Sequence, residues 1–401
     1  MGTKLTRAWR ITVSAVLSAI AVAIAQKKLM PCIDVVQTGF GIDKSAAGLL
    51  SSVFCIMGLA MAIPAAYIVK RVGERKTCLY SLGCAATGSV LGLFARSYGL
   101  LLLSRIVEGI GAGLISVAVP QIIALCFPPE KRGLPTGLWS SWQFVASAVC
   151  FLFVSQVASR SGWRGAWVFS LVITLAAFGL CLLFTRPPED AAVRGPQQRE
   201  PFSLRSFFKV LNNTNAWLLS ACMFCYCFCY LAHTTWLASF WNEQAGMELV
   251  KANRLISYSS ILAIPVTLLA GAMLDKADRK RVCLLGSLAY AVCMALGFSL
   301  RSYGWILALV ILKPFAEGAV STALWTMIPL SARGSEEKTW VIALFTLLSN
   351  LAMLVSSPLT GAMITGMGWN GCGAVLIGIS VLGAVLVAMV RLPQNRRTYL
   401  K

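Results

Sequence analysis

The chain has 401 residues, of which 58% are hydrophobic and only 12% charged, where a water-soluble protein carries about 25% charged residues. The deficit runs along the whole length and excludes an aqueous enzyme, which cannot solvate so much apolar surface. The formal net charge of +20 does not point to nucleic acid, because the bases sit in loops between apolar stretches, where anionic lipid headgroups are their partner.

Each apolar stretch is long enough to cross a hydrocarbon core of about 30 Å. Twelve spans are predicted, at 10–38, 45–69, 77–95, 99–126, 134–157, 165–185, 216–241, 253–274, 282–300, 304–330, 340–364 and 370–390. The first contains Ala21-Val22-Ala23, which resembles a signal-peptide cleavage site. Its apolar character continues past Lys28 and eleven spans follow, so it is expected to be retained. It carries adjacent bases, Lys27 and Lys28, with no acid three or four residues from either. The second span ends in a basic loop with Lys70, Arg71, Gly73, Arg75 and Lys76, and the fourth carries Arg105 and Glu108.

After the sixth span comes the one long polar stretch, residues 186–212, read as a linker between halves 1–185 and 213–401. Within it, Phe202, Leu204, Phe207 and Phe208 suit a short amphipathic helix on the membrane surface. The seventh span holds Cys222, Cys225, Cys227, Cys229 and the chain's only histidine, His233. No second CxxC and no paired His supports a metal site there, so packing is the expected role, and no cofactor is expected. The eighth span ends in Gly271, Asp275, Lys276, Asp278, Arg279, Lys280 and Arg281, and the tenth carries Lys313 and Glu317. Lys and Arg gather on one side of this alternation. The positive-inside rule then predicts a multi-pass protein of the cell (inner) membrane with both termini in the cytoplasm.

The chain repeats itself. Arg96-Ser97-Tyr98-Gly99 recurs as Arg301-Ser302-Tyr303-Gly304, and the basic loop 70–76 recurs as 275–281. Gly41 pairs with Gly246, Gly162-Trp163-Arg164 with Gly368-Trp369-Asn370, and Val107-Glu108-Gly109 with Ala316-Glu317-Gly318. These matches fall in order, so they describe a duplicated six-helix unit, a construction used by transporters.

Several of these motifs resemble those of the major facilitator superfamily. Gly271, Asp275, Lys276, Asp278, Arg279 and Lys280 are similar to its cytoplasmic loop signature, and Arg105-x-x-x-Gly109-x-Gly111-x-Gly113 to its fourth-helix motif. Glu130-Lys131-Arg132-Gly133 and Gly162-Trp163-Arg164 resemble it as well. The resemblance implies an all-α membrane protein with twelve transmembrane helices in two pseudo-symmetric six-helix bundles around a central cavity, working as a monomer. It implies gating at the loops of Arg71, Gly73, Arg75, Gly271, Asp275 and Arg279. The first copy of the loop departs from the signature at Ala66, Lys70 and Glu74, so more of that role is expected of Asp275.

Charges inside a span cost about 2.5–3.5 kcal/mol each by insertion scales, so those present are expected to face a cavity, pair or function. Lys28, His233, Arg105 and Lys313 lie about 10–15 Å deep at ~1.5 Å per helical residue. Their spans, the first, fourth, seventh and tenth, line the central cavity in the resembled family. Lys27, Lys28, Arg105, His233 and Lys313 are therefore the predicted substrate-binding residues, with Lys28 and His233 facing each other across the pseudo-twofold. Gln26, Gln121, Tyr230, Trp236 and Trp325 are candidates to complete the site. Glu108 and Glu317 serve coupling or pair with Arg105 and Lys313 at helical spacing. Four cations against two acids leave surplus positive charge, which selects an anion. The expected function is secondary active transport of a small anion, a carboxylate or inorganic oxyanion, by alternating access, with a proton or counter-anion as coupling partner. No GxxxxGK[ST] signature occurs to suggest ATP. The alternative is a proton-coupled exporter of cationic or hydrophobic compounds using Glu108 and Glu317.

Overall fold

The computed structural model describes residues 2–127, 135, 138–139, 141–185, 212–274, 278–332 and 335–391. The predicted linker helix, Glu130-Lys131-Arg132-Gly133, Asp275 and Lys276 lie outside the described residues. Within them every regular element is helical. The first crossing is α1 (Gly2–Lys27) and α2 (Ile33–Phe40), joined through a 3-10 turn at Met30–Cys32. The second is α3 (Lys44–Ala60) with α4 (Ala62–Val72), the third α5 (Glu74–Leu93) and the fourth α6 (Tyr98–Cys126). The fifth runs from α7 (Trp142–Val149) through a π-helical turn at Cys150–Val154 into α8 (Ser155–Phe184), which also supplies the sixth. The seventh to tenth are α9 (Thr214–Ala245), α10 (Leu249–Leu274), α11 (Arg279–Gly297) and α12 (Tyr303–Met327). The eleventh and twelfth share α13 (Ser335–Met389).

Backbone polar groups have no water to bond in hydrocarbon, so each crossing closes its hydrogen bonds within itself. Hydroxyls inside the crossings follow the same rule: Ser18, Thr234, Thr267 and Thr346 donate to the carbonyl four residues back. Large apolar side chains point outward in helical stripes, such as Val168, Val172 and Leu175 on the sixth crossing and Leu285, Leu288 and Val292 on the ninth. That belt is the lipid-facing surface.

The duplication predicted from the repeats reaches the backbone angles. Gly41 and Gly246 end the first and seventh crossings at φ 62° and 64°, and Gly162 and Gly368 turn the chain at φ 67° and 73°. An L side chain is strained at such angles, so glycine is what permits these four turns. Gly162 and Gly368 are where α8 and α13 each divide into two crossings. The glycines of the fourth crossing make close helix packing. A Cβ on Gly109 would meet the Phe54 carbonyl of the second crossing at 2.6 Å, and one on Gly111 the Ser81 carbonyl of the third at 2.6 Å. The fourteen cysteines are free thiols, eleven of them buried; Cys222 and Cys225 lie against Gly383 of the twelfth crossing.

Candidate functional site

The first crossing breaks where its charges lie. Pro31 has no N–H and its ring collides with the carbonyl four residues back, so α1 stops at Lys27 and the chain turns at Lys28 and Leu29. The carbonyls of Ala25 and Gln26, left without backbone donors, accept from Arg105 Nη1 at 2.6 Å and Nη2 at 2.9 Å. Arg105 Nε donates to the Leu50 carbonyl at 3.3 Å, and its Nη1 pairs with Glu108 Oε2 at 2.5 Å. The other Glu108 oxygen pairs with Lys28 Nζ at 2.5 Å and accepts from the Ser89 hydroxyl at 2.9 Å. Lys28 stands 4.7 Å over the Trp167 ring, and Arg105 4.7 Å over Phe54. All three ionised side chains are fully buried. This network ties the first, second, third and fourth crossings together inside the N-terminal bundle.

Two predicted roles change accordingly. Arg105 is not a free fork for substrate, because it caps a broken helix and pairs with Glu108. Lys28 does not face His233 across the pseudo-twofold. It lies just beyond the helix end, about 100° around from Lys27, and turns into its own bundle.

Lys27 turns the other way. Its ammonium lies 5.4 Å from the centre of the Tyr230 ring on the seventh crossing, and Lys313 of the tenth lies 5.9 Å from the same ring. Among the described residues no carboxylate or hydrogen-bond acceptor pairs with Lys27, which is 4% exposed. Lys313 Nζ is 2.9 Å from Glu317 Oε1, an ion pair without the angles of a hydrogen bond. Beside these groups lies a narrow cavity between the bundles. Its walls are Phe144 and Ser147 of the fifth crossing, Tyr230 and Thr234 of the seventh, Ser259, Ser260 and Ala263 of the eighth, and Lys313 and Glu317 of the tenth. Gln26, next to Lys27, accepts from the Gln143 amide at 3.2 Å. Of the other candidates, Trp236 donates to the Ser357 carbonyl at 3.2 Å and Trp325 packs edge-on against Phe345. Gln121 does not line this cavity. His233 is fully buried in the C-terminal bundle, its ring on the Gly297 backbone and edge-on to Phe298 at 4.9 Å.

One end of the cavity is shut by contacts between the bundles. Ser239 donates to both Asp34 oxygens at 2.8 Å; these two residues are themselves related by the repeat. Lys44 donates to Glu243 at 2.8 Å and lies 4.5 Å over the Trp369 ring, whose Nε1 donates to the same carboxylate at 3.0 Å. Asn253 donates to the Pro31 carbonyl at 2.9 Å. A Cβ on Gly48 would meet the Ser357 backbone at 2.6 Å and one on Gly361 the Lys44 backbone at 2.5 Å. Nearer the middle, Ser257 donates to the Ala148 carbonyl and Ser260 to Ser147. Among the described residues no polar contact between the bundles lies at the opposite, base-rich end.

At the base-rich end, Gly73 makes the turn at φ 85° and Arg71 is exposed. Arg75 Nη2 donates to the Leu182 carbonyl at 2.7 Å, capping the sixth crossing. Its counterpart is Lys280, whose ammonium donates to the Ala388 and Val390 carbonyls at 2.8 and 2.7 Å and caps the twelfth. Arg279, the predicted member, is the first residue of α11, which Asp278 caps through the Lys280 N–H at 3.0 Å. The repeat alignment of 70–76 with 275–281 already pairs Arg75 with Lys280. Gly271 lies within α10.

The family model for the Major Facilitator Superfamily matches residues 12–336 and 255–400. An uncharacterized MFS-type transporter, Rv1250 of Mycobacterium tuberculosis, is 31% identical over 127 residues, 31% of this chain and 22% of that protein. The quinolone resistance protein NorB of Staphylococcus aureus is 23% identical over 171 residues, 43% of this chain and 37% of that protein. The chain thus spans well under half the length of these curated relatives. Among solved structures, a bacterial homolog of the human lysosomal transporter Spinster, inward-facing and unoccupied, superposes with a TM-score of 0.75 at 17% identity. That match covers 96% of this chain and 95% of the other.

Proposed function

The chain belongs to the major facilitator superfamily, and from that premise we propose that it is a secondary active transporter of a small anion, a carboxylate or inorganic oxyanion. The single observation that carries the substrate's sign is Lys27, a buried ammonium that forms no ion pair among the described residues, beside a cavity that also holds Lys313. Glu108 is held by Lys28 and Arg105 inside the N-terminal bundle, and Glu317 by Lys313, which leaves the charge of Lys27 as the surplus beside the cavity. Charge of one sign in a low-dielectric cavity attracts the opposite ion and repels its own. Tyr230, Thr234, Ser259 and Ser260 supply hydrogen bonds for orientation.

In this reading the base-rich end faces the cytoplasm of the cell membrane, with both termini there. The described conformation is then the one closed on the outside. The halves 1–185 and 213–401, joined by the linker, rock about the cavity. A proton or a counter-anion completes the cycle. A second reading, a proton-coupled exporter of cationic or hydrophobic compounds, is favoured by the similarity to NorB. It requires Glu108 or Glu317 to release a paired base.

The test is melting of the detergent-purified protein against panels of small anions and organic cations. A ligand at about 100 times its dissociation constant adds about 2.7 kcal/mol. The expected result is a shift from one anion class that Lys27→Ala abolishes. A shift from cations alone, or an anion shift undiminished in Lys27→Ala, overturns the assignment.

A further inference from the structure

The repeat pairs the turn Gly162-Trp163-Arg164 with Gly368-Trp369-Asn370, and the two turns differ in one chemical respect. In the N-terminal half the tryptophan carries the cation that follows it in sequence. The Arg164 guanidinium lies 4.4 Å from the Trp163 ring centre, and its Nη2 donates to the Ala95 carbonyl at 3.2 Å. In the C-terminal half that cation is missing, because position 370 is an exposed asparagine. The Trp369 ring is covered instead by Lys44, 4.5 Å away and belonging to the other bundle. A carboxylate completes the contact. Glu243 accepts from the Lys44 ammonium with both oxygens, at 2.8 and 3.1 Å, and from Trp369 Nε1 at 3.0 Å.

None of this is mirrored across the pseudo-twofold. Through the repeat, Lys44 corresponds to Leu249 and Glu243 to Thr38, whose hydroxyl donates to the Asp34 carbonyl of its own helix. Among the described residues, Lys44 with Glu243 is the one ion pair that joins the two bundles. An isolated surface ion pair contributes little to stability. This one belongs to a network: the same ammonium serves a carboxylate and a ring, and the same carboxylate serves an ammonium and an indole N–H. The Lys44 side chain is only 18% exposed. When the bundles part at this end, Glu243 and Trp369 leave together, and Lys44 loses both partners at once.

We propose that Lys44 is a latch: a cation that the N-terminal bundle supplies to a Trp369–Glu243 pair lacking its own, and that holds the ligand-free protein closed at this end. A transporter has to leave this state to turn over, so the latch sets how often the end opens without touching the central site. It requires alternating access but no particular substrate, so its failure would leave the anion reading untouched.

The test is the alkylation rate of Ser239→Cys by a water-soluble maleimide in the ligand-free purified protein, read at that residue by mass spectrometry. Ser239 is buried at the closed end, where it bonds Asp34 of the other bundle. A thiol there reacts through the open form, so its rate tracks how often that form is visited. Lys44→Met and Glu243→Gln, added singly, are each expected to raise the rate about fivefold, the loss of one cation–π contact or charged hydrogen bond. The two together should raise it no further than either alone, since each breaks the same contact. Asn370→Arg restores the cation that the repeat supplies at position 164. It competes with Lys44 for Trp369 and Glu243 from within the C-terminal bundle, so it is expected to raise the rate as well, although it removes no part of the latch. Unchanged rates in Lys44→Met and Glu243→Gln would overturn the latch, and an unchanged rate in Asn370→Arg would overturn Lys44 as the substitute cation. Cys78, buried inside the N-terminal bundle, is the control. If it reacts faster in step with residue 239, the variants loosen the whole fold and the proposal fails.

Discussion

Glu108 and Lys27 are both buried and charged, yet removing their charges should have opposite effects. Glu108 pairs with two cations: Lys28 and Arg105 each approach it to 2.5 Å, and none of the three is exposed. Glu108→Gln keeps the shape but leaves two bases without an anion and aims an amide N–H₂ at one of them. Breaking a buried pair by removing one partner costs about 3–5 kcal/mol. The loss should also loosen the break in the first crossing, since Arg105 holds the Ala25 and Gln26 carbonyls there. Lys27 has no such partner. Lys27→Met relieves a desolvation cost of about 2.5–3.5 kcal/mol on insertion scales and retains most of the side-chain volume. The expected outcome is a protein at least as stable as the original that no longer takes up its substrate. The assay is ligand-free melting of both variants in one detergent, paired with uptake in proteoliposomes. A Glu108→Gln protein that melts with the original, or a Lys27→Met protein that melts clearly below it, would refute the division into structural and functional charge.

Two further outcomes follow from the contacts between and within the bundles. Gly48→Leu places a side chain where the Ser357 backbone approaches to 2.6 Å, so it should hold the closed end apart. Transport is expected to fall at least tenfold while equilibrium binding of the substrate persists; unchanged transport would mean that this crossing need not close. Arg75→Ala and Lys280→Ala remove equivalent caps from the sixth and twelfth crossings. Each should lower stability by about 0.3–1 kcal/mol, as a base at a helix C-terminus does, and the two losses should add because the sites lie in different bundles. Melting of the single and double variants checks both statements.

Much of the fold was readable because hydrocarbon leaves the backbone few choices. Apolar length located the crossings, and the glycines repeated at 41 and 246 and at 162 and 368 marked turns that only glycine makes without strain. The pairs Arg105 with Glu108 and Lys313 with Glu317 were legible because helical spacing of three or four residues is a local rule. The bond from Lys28 to Glu108 was not, since it joins residues 80 apart on different crossings. Nor was Arg105 as a helix cap, although its cause is local: Pro31 predicts a break, and a break exposes carbonyls that some donor must satisfy. Trp241 escaped notice because an aromatic residue near a helix end reads as an interfacial anchor. Only its full burial shows an N–H without a partner.

The two halves also show how the charges counted along the sequence divide between the bundles. Duplication placed a base or an imidazole at the same depth in the first and seventh crossings, and a base with an acid in the fourth and tenth. The N-terminal bundle turned its set inward into a closed network and left Lys27, the one base it did not bury there, facing the seventh and tenth crossings. The C-terminal bundle paired Lys313 with Glu317 and left His233 and Trp241 buried without hydrogen-bond partners among the described residues. One surplus charge, that of Lys27, therefore belongs to the interface between bundles, and the other to the network inside the N-terminal bundle. An anion held at that interface meets a charge from one half and directional donors from the other. Its binding is thus sensitive to how the halves sit relative to each other, which is the coupling that alternating access requires.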